Sequence, residues 1–160
     1  MLVKSTFFYI SFLFLSTAPA WSTTFPHGCE VQGFAFTGRD LLVNNKGDQA
    51  FYLIHNNASQ DIQLQRIEDP TAFMSPPLTA KISPDQWAAF ASDIQNLPFE
   101  CVYVHDNRTT TVNCSDVLDI CQYPRAKFAL SNMGNYWLSV DKDQRTIIND
   151  AVAKGIYLHW

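Results

Sequence analysis

The chain has 160 residues, of which 47% are hydrophobic and 16% are charged, and its formal net charge is −4 at pH 7. Lysine and arginine are scattered singly along it, which argues against nucleic acid and anionic membrane surfaces as partners. The low charge and the abundance of aromatic residues argue against a disordered chain.

The first 20 residues have the three parts of a secretory signal peptide. Lys4 provides the positive charge, residues 7–15 are the apolar segment, and Ala18 and Ala20 are the small residues before a signal-peptidase cut. The apolar segment is shorter than the roughly 20 residues that cross a bilayer. We therefore expect residues 21–160 to form one exported globular domain without a membrane span, in the periplasm, at the cell surface or secreted.

Short apolar segments follow, and turn residues break them about every 8 to 12 residues. This pattern predicts a mainly β, antiparallel fold, either a sandwich or barrel-like. Three prolines within residues 69–77 exclude a central strand there. The predicted strands are 29–36, 40–44, 49–55, 61–67, 78–82, 87–91, 99–105, 109–113, 126–130, 136–140 and a last one at 155–160.

One amphipathic helix is predicted near the C-terminal end of the sequence. Asp141, with Gln144 three residues later, resembles a capping box. Apolar residues at 147, 148, 151 and 152 form one stripe at helical spacing, and Gly155 provides a residue that can end the helix. A second, short helix is predicted at residues 116–121.

The four cysteines, Cys29, Cys101, Cys114 and Cys121, all follow the signal segment. An even number of cysteines in an oxidising compartment predicts two disulfides, with three possible pairings. If residues 107–108 form a two-residue hairpin loop, Cys101 lies opposite Cys114 at about 4.5 Å between α-carbons. This register favours Cys101–Cys114 with Cys29–Cys121. A Cys114–Cys121 bridge would need a looped segment, because one regular helix would separate the two by about 10.5 Å.

No residue pattern predicts catalysis or a cofactor. The chain has no G-x-S-x-G motif, and its cysteines are expected in disulfides, so we expect a protein that is not an enzyme. The acidic pair Asp116 and Asp119 is interpreted as a solvated turn or a helix cap. Each histidine is interpreted as a structural or surface residue. A metal-handling role would require at least three of these residues to meet in space: His27, His55, His105, His159, Met74 and Met133.

Two segments combine turn residues or prolines with large apolar side chains, a composition suited to contact with another protein. Their alternative interpretations are a hairpin turn followed by core aromatics, and a loop that caps the sandwich. The candidate partner surface from these segments consists of Asn132, Met133, Asn135, Tyr136, Trp137, Phe73 and Met74.

Four runs of the sequence resemble the enhanced entry protein EnhB family of intracellular bacterial pathogens. They are residues 24–31 (TFPHGCEV), 87–94 (WAAFASDI), 117–137 (VLDICQYPRAKFALSNMGNYW) and 150–156 (DAVAKGI). The resemblance implies a virulence-associated protein that supports bacterial entry into host cells beside exported partners, among them a Sel1-repeat protein. It brings no catalytic residues with it.

Together, the residues and the resemblance lead to one expected function and its alternatives. We expect an exported, non-enzymatic protein-interaction factor whose partner is another exported or envelope protein. The alternatives are a periplasmic binder of an envelope component or small ligand, and a metal-handling protein.

Overall fold

The computed structural model of the chain describes residues 23–31, 35–43, 49–67, 78–105, 108–124, 126–129 and 136–158. The predicted signal peptide at 1–20 lies outside these ranges. Within them the chain forms eleven strands and two helices. They are β1 (Glu30–Val31), β2 (Phe36–Thr37), β3 (Asp40–Val43), β4 (Ala50–Asn56), β5 (Ile62–Arg66), β6 (Thr79–Ile82), β7 (Trp87–Ser92), β8 (Leu97–His105), β9 (Arg108–Val112), α1 (Cys114–Val117), β10 (Leu118–Tyr123), β11 (Tyr136–Asp141) and α2 (Gln144–Ala153).

The strands form two antiparallel sheets, which pack as a sandwich and do not close into a barrel. Sheet A has the order β1-β10-β4-β7-β11. Sheet B has the order β2-β3-β8-β5-β6, and β9 pairs with the far half of β8. The predicted mainly β, antiparallel fold with a C-terminal helix is confirmed.

The first hydrophobic core lies between the two sheets. Tyr52 and Ile54 of β4 belong to it from sheet A, and Ile62 of β5 belongs to it from sheet B. The rings of Phe90 and Phe99 meet edge to face across the sandwich, with centroids 5.5 Å apart. Alternate residues of each strand therefore bury one face of each sheet, as the period of two predicts.

A second core covers the opposite face of sheet A. Phe51 and Leu53 of β4 belong to it together with Ile147 and Ala151 of α2, and Phe25 of the N-terminal arm packs against it. Strands β4 and β7 are consequently buried on both faces along their whole length. This double burial explains why their sequences read as almost continuous apolar runs.

Helix α2 forms where the sequence predicts it, although its first residue differs. The carboxylate of Asp143 accepts a hydrogen bond from the backbone N–H of Arg145, so Asp143 is the N-cap, whereas Asp141 ends β11. Gly155 follows the helix with φ +82°, the left-handed conformation expected of it. Val152 is 47% exposed, so the buried stripe is narrower than predicted.

The helix predicted at residues 116–121 is wrong. Helix α1 is a single turn, and the chain then continues as β10, which pairs with β4 over six residues from Leu118 to Tyr123. Leu118 and Ile120 alternate toward the inner core, which is a strand pattern. Burial in the middle of sheet A therefore outweighs the local helix signals.

One predicted strand is shorter in the structure, and two others are not strands in their described parts. Within the described part of 29–36, only Glu30–Val31 and Phe36 are in strands. The segments 126–130 and 155–160 meet through one isolated bridge, between Lys127 and Tyr157. These end segments lie against the second core, where Ala126, Ile156 and other apolar residues are buried without a continuous ladder.

Both favoured disulfides are present. Cys29 bonds to Cys121, with α-carbons 5.4 Å apart, and Cys101 bonds to Cys114, with α-carbons 5.3 Å apart. The register used to predict the second bridge is wrong, because Cys101 lies opposite Val112 in the β8–β9 ladder. Cys114 instead reaches Cys101 from the first position of α1.

Two further observations concern the compartment. The disulfides are consistent with an oxidising, extracytoplasmic environment. Among the described residues, we find no helix with the length and apolar character needed to cross a membrane.

Tyr123 makes the stability of the protein sensitive to alkaline pH. The side chain is fully buried and its ring contacts that of Phe51 at 5.7 Å. Burial disfavours the phenolate and raises the pKa of Tyr123 from 10.0 to about 12. The unfolded chain therefore loses this proton first, so stability is retained below pH 10 and falls as the pH rises toward 12.

Between pH 10 and pH 12, we expect ionisation of Tyr123 to lower the free energy of unfolding by roughly 2 to 3 kcal/mol. Tyr123→Phe should flatten the alkaline limb of the curve measured by urea unfolding at each pH. Tyr157→Phe is the matched control, because Tyr157 is 60% exposed. An unchanged alkaline limb in Tyr123→Phe would contradict the prediction.

Candidate functional site

A row of polar and aromatic residues crosses one end of sheet A. Asp119 of β10 lies opposite His55 of β4, His55 lies opposite Trp87 of β7, and Trp87 lies opposite Asp141 of β11. Trp87 packs into the second core, which places the row on the face of sheet A that α2 covers. The antiparallel register thus brings together four residues that are far apart in the sequence.

His55 is the centre of this row. Its side chain is 11% exposed and its ring contacts that of Trp87, with centroids 4.5 Å apart. The Nε2 atom lies 3.1 Å from Oδ1 of Asp85, and the Nδ1 atom lies 3.8 Å from Oδ2 of Asp119 and 3.4 Å from Oγ1 of Thr23. Because a neutral imidazole has one N–H, only the protonated ring can donate to both sides.

Asp85 reaches His55 from a strained turn between β6 and β7. The backbone N–H of Gln86 donates to the carbonyl of Ser83, and Asp85 inside this turn has φ +59°. That left-handed conformation is usual for glycine and costs an aspartate about 1 kcal/mol. This conformation places the Asp85 carboxylate, which is 95% exposed to solvent, beside the almost buried imidazole of His55.

The neighbouring residue, Asn56, holds this turn in place. Asn56 is fully buried, and its Nδ2 donates to the carbonyls of Gln60 and Ile82, both at 2.8 Å. Its Oδ1 accepts from the backbone N–H of Ala58 at 2.9 Å. Its own backbone carbonyl accepts from the N–H of Asp85 at 3.1 Å. One side chain thereby joins the end of β4 in sheet A to the end of β6 in sheet B.

The N-terminal arm, residues 23–29, closes one side of the site. The hydroxyl of Thr23 donates to Oδ2 of Asp119, and the side chain of Gln144, at the start of α2, donates to the carbonyl of Thr24 at 3.0 Å. Cys29 at the other end of the arm is bonded to Cys121 of β10. Both ends of the arm are therefore fixed to sheet A or to its covering helix.

These elements surround a cavity of about 520 Å³, which we call the His55 cavity. Its wall combines polar side chains with apolar ones, and Asp85 in this wall is exposed to solvent. The residues that line it are Thr23, Thr24, His55, Asn56, Asn57, Ala58, Pro84, Asp85, Trp87 and Gln144. Such a cavity suits a polar ligand or an inserted side chain that donates hydrogen bonds to the Asp85 carboxylate.

The arrangement does not suit a metal ion. The two carboxylates approach opposite nitrogens of the His55 ring, so one ion cannot be bound by the imidazole and both carboxylates. Across the described residues, which include His27 and His105, no three histidine, cysteine or acidic side chains converge to hold a metal. His159, Met74 and Met133 lie outside the described ranges.

The arrangement also differs from a catalytic triad. In a triad, the hydroxyl of the nucleophile donates to the imidazole base. Here the hydroxyl proton of Thr23 is directed at Asp119, and His55 lies 3.4 Å from the same oxygen. The geometry is that of a hydrogen-bonded cluster around His55, with Asp85 as its most accessible member.

Of the residues predicted for a partner surface, two are described. Tyr136 and Trp137 are half-buried on opposite faces of β11: Tyr136 stacks on Phe90 of the inner core and Trp137 stacks on Phe51 of the second core. Both rings therefore pack against core residues. Asn132, Met133, Asn135, Phe73 and Met74 lie outside the described residues.

The His55 cavity was not predicted from the sequence. His55 was interpreted as a structural or surface residue and Asp119 as part of a turn or cap, and Asp85 was not among the candidate residues. His55 and Asp119 are 64 residues apart, and no motif links them. The available signal was an aspartate after Pro84 in a turn, which indicates a left-handed position, but it does not identify what the carboxylate faces.

No protein family, curated protein or solved structure matches the chain.

Proposed function

We propose that the protein is an exported, non-enzymatic binding domain that contacts another exported or envelope protein and so supports bacterial entry into host cells. The observation that carries the proposal is the His55 cavity, which presents a fully accessible carboxylate at its mouth. The resemblance of the sequence to the enhanced entry proteins supports the cellular role and suggests a Sel1-repeat protein as one partner.

The charge of the cavity favours a basic partner segment. Asp85 and Asp119 flank one imidazole, and Asn57 and Gln144 add hydrogen-bonding groups. Without Lys4, the exported chain would carry a net charge of about −5, which also attracts a basic partner. A lysine or arginine side chain entering at Asp85 would form charge-assisted hydrogen bonds with its carboxylate.

Asp85→Gly provides a direct test, because glycine removes the carboxylate and suits φ +59°. We expect this variant to fold with unchanged or higher stability, by up to about 1 kcal/mol, and to lose most of the partner captured by crosslinking. Asn96→Gly is the matched control, because Asn96 also has positive φ, +56°, and does not line the cavity. The measurement is quantitative mass spectrometry of proteins crosslinked to the mature protein in its own envelope.

Equal capture by wild type and Asp85→Gly would contradict the role of the cavity. Capture of no protein by the wild type would favour the second candidate, a binder of an envelope component or small ligand. The volume of about 520 Å³ favours this candidate specifically, since ligand cavities usually measure roughly 300–1,000 Å³. Cell-wall fragments that stabilise the wild type against heat, but not Asp85→Gly, would then establish it.

A further inference from the structure

Strand β9 is an exposed edge of sheet B. Its residues from Arg108 to Thr111 are exposed, and β8 is the one strand that pairs with it in the described part of the chain. The run of three threonines has high β-propensity and contains no proline, the residue that commonly blocks an edge. The strand is therefore able to accept another strand along its free side.

The ladder identifies which backbone groups face outward. The N–H of Ile67 donates to the carbonyl of Pro98, so the backbone carbonyl of residue 98 in β8 points toward β5. Backbone direction alternates along a strand, so residues 101, 103 and 105 face β9, where they lie opposite Val112, Thr110 and Arg108. Thr109 and Thr111 consequently direct their N–H and C=O groups away from β8.

The free edge is complementary to itself. When two copies of β9 run antiparallel around Thr110, Thr109 of one copy lies opposite Thr111 of the other. These are the residues whose backbone groups face outward, so each such pair can form two hydrogen bonds. Thr110 then lies opposite its own copy, and Arg108 lies opposite Val112, which avoids any pairing of like charges.

We propose that two copies of this chain associate through β9, forming one continuous sheet across a two-fold axis at Thr110. The charges at the strand ends favour this arrangement. Arg108 is the first residue of β9, and the exposed Asp116 lies in α1, shortly after β9 ends. In the antiparallel pair, Arg108 of each copy therefore lies near the end of β9 that leads to Asp116 in the other copy. The strand is short, so the dimer is a reversible one.

Charge variants at the two-fold axis test the proposal. Thr110→Lys or Thr110→Glu places two like charges opposite each other, and we expect each to weaken self-association by about tenfold or more in sedimentation equilibrium. A mixture of the two variants should restore the dimer as a heterodimer. Thr79→Lys is the control, because Thr79 is exposed on β6, the opposite edge of sheet B, and should leave association unchanged.

Thr111→Pro is a second variant, which removes an outward N–H without altering a bond to β8 and should also weaken association. Circular dichroism verifies that each variant is folded. A wild type that stays monomeric at the highest concentration reached overturns the proposal. So does a dimer that the Lys and Glu variants leave intact, or one that their mixture fails to restore.

Discussion

Replacing Cys29 and Cys121 together by alanine is expected to lower the free energy of unfolding by about 4.6 kcal/mol. The bridge spans 92 residues, so it removes a large amount of conformational entropy from the unfolded chain. It also joins the N-terminal arm to β10, and its loss would remove the covalent link between that end of the arm and β10.

The second disulfide provides the internal comparison. It spans 13 residues and so removes less entropy from the unfolded chain. Replacing Cys101 and Cys114 by alanine is expected to lower the free energy of unfolding by about 2.9 kcal/mol. Urea unfolding of both double variants, followed by tryptophan fluorescence, measures the order. A larger loss for the short bridge would show that packing around Cys101 and Cys114, both fully buried, outweighs chain entropy.

Asn56→Ala is expected to destabilise the protein by about 3 kcal/mol or more, since it leaves the carbonyls of Gln60 and Ile82 and the N–H of Ala58 without their side-chain partner. The loss should be larger than for an ordinary surface amide because Asn56 connects the two sheets. Asn57→Ala is the matched control, because Asn57 is exposed and adjacent in sequence. The measurement is the midpoint and slope of urea unfolding.

Three outcomes would contradict this role for Asn56. A loss below about 1 kcal/mol would mean that water replaces the amide at little cost. An equal loss in Asn57→Ala would mean that the loop after β4, rather than the link between sheets, determines stability. Wild-type geometry of the Asp85 turn in Asn56→Ala would also show that the turn is held by backbone hydrogen bonds alone.

Much of the fold could be predicted because its strands follow the period of two. Ile62 and Leu64 alternate toward the core, and the α2 stripe places Ile147 and Ala151 one turn apart, so a local pattern was sufficient for both elements. These are the features in which local sequence and burial agree.

The errors arose where distant contacts decide the structure. The predicted β8–β9 register placed Cys114 opposite Cys101, whereas Val112 lies there. The loop was predicted one residue too late, because His105 pairs with Arg108. The sequence also favours a loop at 106–107 over one at 107–108, because aspartate and asparagine are commoner turn residues than arginine. Strand β10 was predicted as helix because its burial between β1 and β4 is invisible locally.

The candidate site was beyond prediction from the sequence for a similar reason. His55, Asp85 and Asp119 belong to three separate segments, and the register of β4 with β10 and the turn before β7 bring them together. Neither composition nor spacing contains that register.

The second core has a consequence for the order in which the chain can fold. Its cover is built from the first and last described segments, the arm that includes Phe25 and the helix that includes Ile147 and Ala151. A nascent chain that stops before α2 would therefore expose part of this apolar face of sheet A. Completion of synthesis thus protects this protein against aggregation, and proteolysis between β11 and α2 would remove that protection.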